Sequence, residues 1–327
     1  MPSDADPLLC SDALSGRAVF VAPRRGGRPD DAGLAAGHGP DADPTAWCPF
    51  CAGNESRTPP HVLRVPDAED AAWRARIVPN CFPLVAHAPA AAASLAAVRP
   101  AHGVHDVVVE SPRHVRSILQ IDPPAWCDAW ELVRRRLDML AGRDDLAWAH
   151  VFKNSGPRAG ASLEHVHSQL VGLDFVPPVV RRELEAATAH PFAALIDRAA
   201  AEERIVAAAG GLVALVPTAP RQPYETWILP IAPAPHFHAA DPGHVAALAD
   251  LTQSIVARLG RLAPGADYNW WLHQAPFARA ADQSTPGWHW HLEILPRIND
   301  FAGFELGTGC HITTLPGSES ARLLREA

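Results

Sequence analysis

Two His-x-His segments, His165-Val-His167 and His289-Trp-His291, each close a series of apolar segments that occurs twice along the chain. In both series, the lengths and spacing of the apolar segments indicate strands, then a helix, then two further strands. The first series comprises residues 77–78, 82–85, 104–109, 126–140, 146–152 and 163–173, and the second comprises 212–216, 225–231, 244–259, 268–273 and 288–295. This repeated order predicts an internal duplication, with two tandem mixed α/β units.

The boundary between the two units is predicted to follow the first His-x-His strand. We place the N-terminal unit at residues 1–175 and the C-terminal unit at residues 176–327. Residues 177–201 are expected to form a helical connector, with Glu183 near its start. The segment 26–44 is rich in Gly, Pro and Asp, which is typical of a surface loop.

The composition of the chain limits the size of its core, the kinds of partner it can bind and the compartment in which we expect it. A chain of 327 residues can bury one large or two medium cores. Its formal net charge of -8 argues against nonspecific nucleic-acid binding. The six cysteines include only one close pair, which is a poor disulfide framework and fits a reducing cytoplasm. No leader opens the chain, and no apolar run reaches the roughly 20 residues that cross a bilayer. We therefore expect a cytoplasmic protein without membrane or nucleic-acid partners.

The first His-x-His segment continues to a glutamine, so that His165, His167 and Gln169 stand at positions i, i+2 and i+4. If this segment is a strand, all three side chains project from one face. Two neighbouring imidazoles can divide their roles, because one can bind a metal while the other presents a lone pair to an electrophile. The segment therefore predicts a nucleotidyl transferase that works through a histidine nucleophile.

Cys48-Pro-Phe-Cys51 has the spacing at which two thiolates bind one zinc ion, although a redox pair or two buried thiols share this spacing. The sequence has no second Cys-x-x-Cys, so histidines would have to complete a tetrahedral site. His114 and His165 are candidates. With 17 histidines in the chain, spacing alone does not select them.

Two loops could hold phosphate. The segment 152–162 is polar and rich in small residues, and it leads directly into the histidine segment. Its glycines would let backbone N–H groups approach phosphate oxygens, and Lys153, Asn154 and Ser162 would add side-chain donors. An ordinary turn between two strands is the alternative. A second loop, Val21-Ala-Pro-Arg-Arg25-Gly-Gly-Arg28-Pro29, carries guanidinium groups that are either phosphate ligands or solvated charges.

These motifs together resemble galactose-1-phosphate uridylyltransferase and its relatives in the histidine triad superfamily. The matching segments are Cys48-Pro-Phe-Cys51, the Pro-Asn-Cys-Phe-Pro run around Asn80, Ser111-Pro-Arg-His114, the Gly160 to Gln169 block and Trp288-His-Trp-His291. The resemblance covers about Val19 to Ile312. It implies an α/β (α+β) fold of two tandem histidine-triad-like units, each an antiparallel sheet with flanking helices. It also implies a homodimer.

The resemblance assigns roles to individual residues. It implies that His167 is the nucleophile and that Gln169 hydrogen-bonds a non-bridging phosphoryl oxygen. It implies structural zinc ligands at Cys48, Cys51, His114 and His165, because four protein ligands leave no open position. It implies a second zinc or iron ion, seen in some members, at Glu183, His273, His289 and His291. The implied substrate contacts are Arg25, Arg28, Asn80, Lys153, Asn154, Gly160, Ser162 and Glu305.

The activity that the resemblance implies is exchange of UMP between UDP-glucose and galactose 1-phosphate, or a similar hexose 1-phosphate, by a ping-pong mechanism. A neutral imidazole suits the attack because it is not repelled by the diphosphate. The triad hydrolases carry a third histidine where Gln169 stands, and an amide cannot relay a proton to water in that way. Gln169 therefore favours a transferase over a hydrolase.

The donor and acceptor stay open at this point. ADP-glucose phosphorylases and related adenylyl transferases share the histidine block, and a catalytically silent nucleotide-binding protein is a further alternative. The chain also departs from the usual family pattern at three positions: Phe304 replaces a Tyr, Asn299 replaces a Lys, and Val166 replaces the Pro between the two histidines. These departures weaken the case for galactose specificity and leave the histidine chemistry unchanged.

Overall fold

The computed structural model describes residues 6–12, 14–28, 43–68, 70–86, 97–187, 191–277 and 287–327. The chain folds into a mixed α/β architecture with antiparallel sheets flanked by helices. The strands are β1 (Leu8–Ser11), β2 (Ala18–Val21), β3 (Leu63–Val65), β4 (Ala75–Pro79), β5 (Val98–Pro100), β6 (Gly103–Val109), β7 (Trp148–Ser155), β8 (His167–Leu173), β9 (Ile205–Ala209), β10 (Leu212–Leu215), β11 (Thr226–Pro230), β12 (Tyr268–His273) and β13 (His291–Pro296). The α-helices are α1 (Pro123–Ala141), α2 (Pro178–Ala187), α3 (Pro191–Ala201), α4 (Pro242–Leu262), α5 (Gly303–Thr308) and α6 (Gly317–Glu326).

Ten of these strands form one antiparallel sheet in the order β3-β4-β6-β8-β7-β12-β13-β11-β10-β9. Each half of the sheet comes from one half of the chain, and the two halves meet where β7 pairs with β12. Counted outward from this junction, the strands of the two halves have the same relative order along the chain. One long helix precedes the junction strand in each half, α1 before β7 and α4 before β12. The predicted duplication of the fold is confirmed.

The two long helices cover one face of the sheet and contact each other. Asp122 and Asp241 begin them as N-caps, with carboxylates that accept the N–H groups of Ala125 and His244. Trp126 of α1 is buried and donates its indole N–H to Thr252 of α4 at 2.9 Å. This face holds the larger apolar core, so the polar groups of the sheet that can meet a ligand lie on the opposite face.

The opposite face carries the two His-x-His segments and is bordered by a three-stranded sheet in the order β2-β1-β5. A small apolar cluster around Trp47, Phe50 and Trp73 packs there on Val107 and Val109 of β6. Among the described helices, none combines the length and the apolar character that a membrane span requires.

The boundaries of several elements differ from the predicted ones. Residues 82–85 contain bends and no strand, because Pro83 has no N–H to donate to a ladder. The predicted strand over 163–173 begins only at His167, so His165 lies before it. The predicted connector forms two helices, α2 and α3. Most of the predicted loop over 26–44 lies outside the described residues.

Candidate active site

The first histidine segment brings together four potential metal ligands. Cys48 and Cys51 lie in the loop before β3, His114 follows β6, and His165 precedes β8. Their ligand atoms all lie within 4.8 Å of one another. The Nδ1 atom of His165 is 3.5 Å from both cysteine sulfurs, and His114 Nδ1 is 3.5 Å from Cys51 Sγ.

These separations match those around a tetrahedral metal ion. Bond lengths of about 2.3 Å to sulfur and about 2.0–2.1 Å to nitrogen place the two donors about 3.6 Å apart. Burial, together with the neighbouring Cys48, raises the pKa of the Cys51 thiol to about 12 in the absence of a cation. A bound cation would favour the thiolate form of these buried cysteines, and the donor set fits one. The described residues of this cluster could bind a metal ion.

His165 is oriented for this cluster by its other ring nitrogen. Its Nε2 is 2.9 Å from the backbone oxygen of Ser111, which can only accept a hydrogen bond, so Nε2 carries the proton. The Nδ1 atom then faces the sulfurs with its lone pair. Such a backbone contact fixes both the tautomer and the angle of a metal-binding imidazole. The imidazole is completely buried.

His167 is the first residue of β8, and its ring carries the proton on the other nitrogen, Nδ1, in contrast to His165. Its Nδ1 lies 2.7 Å from the backbone oxygen of His165 and therefore carries the ring proton. The lone pair is left on Nε2. Burial and, secondarily, the nearby Lys153 ammonium lower the pKa of His167 to about 4, so the ring is neutral near pH 7. The ring of Phe50 contacts it, with the centroids 5.2 Å apart.

A cavity of about 260 Å³ opens beside His167. We call it the His167 cavity, and it is lined by Arg28, Trp47, Pro49, Phe50, Arg57, Thr58, Pro59, Val78, Pro79, Asn80, Cys81, Phe82, Val107, Ser162, Leu163, His167 and Gln169. Apolar and aromatic side chains dominate the lining, with a few polar groups near His167. This is the usual character of a site for a small organic ligand.

The structure thus brings five of the predicted site residues together at one cavity: Arg28, Asn80, Ser162, His167 and Gln169. Gln169 follows His167 by two residues on β8, so strand alternation puts both side chains on the same face. The combination offers a neutral nucleophile, amide and hydroxyl donors, and a guanidinium group. That set can attack a phosphorus atom and stabilise charge on its oxygens.

The lysine of the predicted phosphate loop lies elsewhere. Lys153 belongs to β7, where the strand alternation that buries Val151 directs it toward the helix-covered face. Its ammonium is 2.5 Å from Glu110 Oε2 and 2.8 Å from the backbone oxygen of His167. Both charged side chains are only 2% exposed. The structure contradicts the expectation that Lys153 contacts a phosphate.

The rest of that loop is held by the C-terminal half of the chain. Asn269 of β12 donates to the side-chain oxygen of Asn154 and to the backbone oxygen of Ala159, both at 2.8 Å. The amide nitrogen of Asn154 is 3.5 Å from the oxygen of Gly160, whose φ of 85° suits glycine. Neither residue lines the His167 cavity. Asn154 belongs to β7 and Gly160 to the turn that follows it, and Asn269 links this region to the C-terminal half of the sheet.

Two further predicted contacts also lie outside the cavity lining. Arg25 lies in the 3-10 helix Pro23–Gly27 and donates to the backbone oxygen of Phe82, a cavity residue, at 2.9 Å. Glu305 lies in α5, where its carboxylate accepts the N–H of Ala302 at 3.0 Å. Arg25 thus supports the cavity wall, and Glu305 belongs to a separate, exposed segment.

A second cluster forms at the matching position of the C-terminal half. Glu183 of α2, His273 of β12, and His291 and Glu293 of β13 have ligand atoms within 4.8 Å of one another. His273 Nδ1 is 3.0 Å from Glu183 Oε2, and His291 Nε2 is 3.5 Å from Glu293 Oε1. Glu183 Oε2, His273 Nδ1 and His291 Nε2 are buried, and in the described part of the chain their close contacts with one another and with Glu293 lack the angles of a hydrogen bond. Such converging lone pairs fit a metal ion.

This cluster contains Glu183, His273 and His291 of the predicted second metal site, with Glu293 as its fourth member and without His289. His289 precedes β13, and its Nδ1 donates to the backbone oxygen of Pro230 at 2.7 Å. His291 and Glu293 are two residues apart on one strand and therefore share a face. Glu293 also forms an ion pair with Arg221.

Sequence reasoning missed two residues of these sites, Glu293 and His105. Aligning the two halves could have found the first, since His-x-His-x-Gln in one half corresponds to His-x-His-x-Glu in the other. His105 lies on β6, and its Nε2 is 3.0 Å from Gln169 Oε1. A single histidine in an apolar strand gives no sequence signal for such a contact.

Two protein-family models match the chain. "Galactose-1-phosphate uridyl transferase, N-terminal domain" matches residues 12–177, and "Domain of unknown function (DUF4921)" matches residues 136–325. ADP-glucose phosphorylase of Arabidopsis thaliana is 31% identical over 330 residues, which cover 98% of this chain and 93% of that protein.

Two solved structures share the fold over nearly the whole chain. A crystal structure of an ADP-glucose phosphorylase from Arabidopsis thaliana with bound ADP-glucose has a TM-score of 0.77 and 29% identity, covering 98% of this chain and 99% of that one. A uridylyltransferase structure has a TM-score of 0.78 and 26% identity, covering 98% of this chain and 97% of that one.

Proposed function

Since the chain belongs to the galactose-1-phosphate uridylyltransferase family and is a nucleotidyltransferase of that family, we propose that it transfers the AMP group of ADP-glucose to inorganic phosphate through His167. The products are ADP and glucose 1-phosphate. The observation that carries this proposal is the full-length similarity to ADP-glucose phosphorylase, at 31% identity over 98% of the chain. It favours the adenylyl alternative over the uridylyl exchange that the sequence motifs put first.

The first step is attack by the Nε2 lone pair of His167 on the α-phosphorus of ADP-glucose. A P–N bond forms, the bond from the α-phosphorus to the bridging oxygen breaks, and glucose 1-phosphate leaves with the electron pair. In the second step an oxygen of inorganic phosphate attacks the same phosphorus. The P–N bond breaks, its electrons return to Nε2, and ADP is released. The Nδ1–H group of His167 stays hydrogen-bonded to the backbone oxygen of His165 throughout.

The polar lining of the His167 cavity supports these steps. The amide of Gln169, the hydroxyl of Ser162 and the guanidinium of Arg28 all line the cavity beside the nucleophile. We assign them to the phosphoryl and diphosphate oxygens, where preorganised donors stabilise the charge of the transition state. Asn80 supplies a further amide. The apolar wall formed by Trp47, Phe50 and neighbouring residues suits the base and the ribose.

For the two side-chain clusters we propose a structural zinc ion and a second divalent ion. Two thiolates and two imidazoles are ligands that favour zinc at the first cluster, with no open coordination position. Bound there, the ion would hold the segment that carries His167. The two carboxylates and two imidazoles of the second cluster suit zinc or ferrous iron.

The remaining features of the proposal concern organisation. We propose that the N-terminal unit ends at residue 175, because β8 ends at Leu173 and α2 begins at Pro178. We also propose a cytoplasmic location, on the cysteine pattern, and a homodimer, on the family resemblance. The exposed side chains of Phe304, Leu306 and Ile312 on the C-terminal segment support a second subunit.

The decisive experiment is to trap the nucleotidyl-protein. ADP-glucose, UDP-glucose and UDP-galactose, each labelled at the α-phosphate, are incubated separately with the protein, and the label on protein is measured after gel filtration. We expect label from ADP-glucose, its release as ADP on addition of phosphate, and no label on His167→Gly. The matched control is His236→Gly, which removes a half-buried imidazole that does not line the His167 cavity.

The other outcomes discriminate between the alternatives. Label from UDP-glucose or UDP-galactose alone, released by a hexose 1-phosphate, would support the uridylyl exchange. A protein that binds a nucleotide sugar without becoming labelled would be a silent nucleotide-binding protein. Transferase activity retained by a folded His167→Gly variant would refute the nucleophile assignment.

A further inference from the structure

Beside the His167 cavity, a buried histidine contacts the side-chain amide of Gln169. His105 of β6 is only 4% exposed. Its Nδ1 lies 3.0 Å from the backbone nitrogen of Leu84. Its Nε2 lies 3.0 Å from Gln169 Oε1 and 3.2 Å from Asn80 Nδ2. Both amides line the cavity, and His105 stands behind them.

The position of the ring proton of His105 follows from these contacts. The backbone N–H of Leu84 can only donate, so Nδ1 must accept and is unprotonated. Burial lowers the pKa of His105 to about 4, so the neutral ring has a single proton, which lies on Nε2. An Nε2–H group needs an acceptor. Asn80 presents its amide nitrogen, because its oxygen already accepts the N–H of Phe82 at 2.8 Å. Only the oxygen of Gln169 can accept the proton.

The bond from His105 therefore selects one of the two orientations of the Gln169 amide. With its oxygen held by His105, Gln169 turns its NH2 group toward the cavity. Rotation of the amide by half a turn would place NH2 against Nε2–H and leave two donors facing each other. The rotated amide would also present an oxygen, an acceptor, to the anionic phosphate. A glutamine without this contact could adopt either orientation.

We propose that His105 is a positioning residue for nucleotidyl transfer, which acts by holding the Gln169 amide with its N–H donors directed at the phosphoryl oxygens. The inference rests on the proposed function of His167 and Gln169. It concerns the transition state more than substrate binding, since charge on the phosphoryl oxygens must be stabilised there by donors already in place. His105 itself does not line the His167 cavity.

The test is a double-mutant cycle on adenylylation of the protein by ADP-glucose, measured by rapid quench. The variants are His105→Phe, Gln169→Ala and the combination of both. Loss of one preorganised donor costs about 10²–10³-fold in rate, and we expect His105→Phe to lose about tenfold or more, within the loss caused by Gln169→Ala. In the Gln169→Ala background, His105→Phe should change the rate by less than about twofold, because the residue through which it acts is gone.

A conservative variant separates positioning from packing. The side chain of His105→Gln offers an oxygen to Leu84 and an NH2 group to Gln169, and it should restore most of the rate. The KM for ADP-glucose should change little across the series, while kcat falls. In the wild type, ¹⁵N NMR of the histidine side chains should report His105 protonated at Nε2, a measurement that does not depend on whether a variant folds.

The contrary outcomes are distinct. Equal losses from His105→Phe in both backgrounds would overturn the proposal, since the effect would then not pass through Gln169. An Nδ1-protonated ring would overturn it as well. If wild-type protein is not adenylylated by ADP-glucose and not nucleotidylated by UDP-glucose, the proposed function itself fails and the role of His105 fails with it. If the wild type is labelled and the cycle is additive, only the role of His105 fails.

Discussion

Replacing Lys153 by methionine distinguishes the structural role of this lysine from the phosphate-binding role that its sequence context indicated. Its ammonium lies 2.5 Å from Glu110 Oε2, and both side chains are only 2% exposed. The same ammonium donates to the backbone oxygen of His167 at 2.8 Å. Glu110 also accepts the hydroxyl of Ser168. Methionine fills the same volume, so the variant removes the charge and leaves Glu110 buried with one partner fewer.

The expected loss is that of a broken buried ion pair, about 3–5 kcal/mol. With an unfolding entropy of about 2.1 cal/mol/K per residue over 327 residues, this loss lowers the melting temperature by about 4–7 °C. Adding Glu110→Gln to Lys153→Met should recover part of the stability, because it removes the unpaired charge. Arg74→Met is the control: its ion pair with Asp128 is exposed, and its loss should cost less than about 1 kcal/mol.

The assays are thermal and denaturant unfolding, together with steady-state kinetics of the folded variant. We expect kcat to fall, because the backbone oxygen of His167 loses the hydrogen bond that the Lys153 ammonium donates to it. The KM for ADP-glucose should stay within a few-fold of wild type. The reasoning is refuted if Lys153→Met unfolds at the wild-type temperature while its KM rises more than tenfold. That result would place the ammonium on the substrate.

Three further predictions concern the clusters and the pH dependence. Cys51→Ser should lose one equivalent of bound zinc, measured by mass spectrometry of the metal content, and several kcal/mol of stability; unchanged metal content would contradict the first site. His273→Ala should lose the other equivalent while His289→Gln keeps both, and the reverse pattern would restore His289 to the second site. Because the pKa of folded His105 is about 4 and that of the unfolded chain is about 6.5, only the unfolded state binds this proton between these values. Stability should therefore fall as the pH drops through this range, by up to about 1.4 kcal/mol per unit more in the wild type than in His105→Gln. Parallel pH profiles of the two proteins would show that the ring is not held neutral.

Much of the fold could be predicted from the sequence because each half repeats a pattern of strands around one helix. The strand Tyr268–His273 has the predicted bounds, and the two long helices lie where apolar periodicity indicated them. The joining of both halves into a single sheet was not predictable. It depends on pairing between β7 and β12, strands more than 100 residues apart, and sequence patterns carry no signal for which edges meet.

The sequence predicted the positions of site residues that follow from spacing within one segment. It did not predict positions that depend on a tertiary contact. Cys48 and Cys51 lie in one side-chain cluster and His167 lines the cavity, as the spacing of these residues in the sequence indicated. Lys153 was misassigned because its segment was interpreted as a loop, whereas β7 extends to Ser155. Had the strand been extended, alternation from the buried Val151 would have put Lys153 on the helix-covered face.

An equivalent histidine begins a strand in each half of the sheet, His167 in β8 and His291 in β13. The two halves differ in the residue two positions after this histidine. In each half the histidine donates from Nδ1 to a backbone oxygen two residues earlier, as His167 does to His165 and His291 does to His289. The next position on that face is an amide in one half, Gln169, and a carboxylate in the other, Glu293. A carboxylate about 4 Å from a phosphoryl charge would repel it by about 4 kcal/mol at an effective dielectric constant of about 20, while the same charge attracts a metal cation. On the proposed function, the neutral amide thus suits one copy to phosphate chemistry, and the anionic residue suits the other copy to hold an ion.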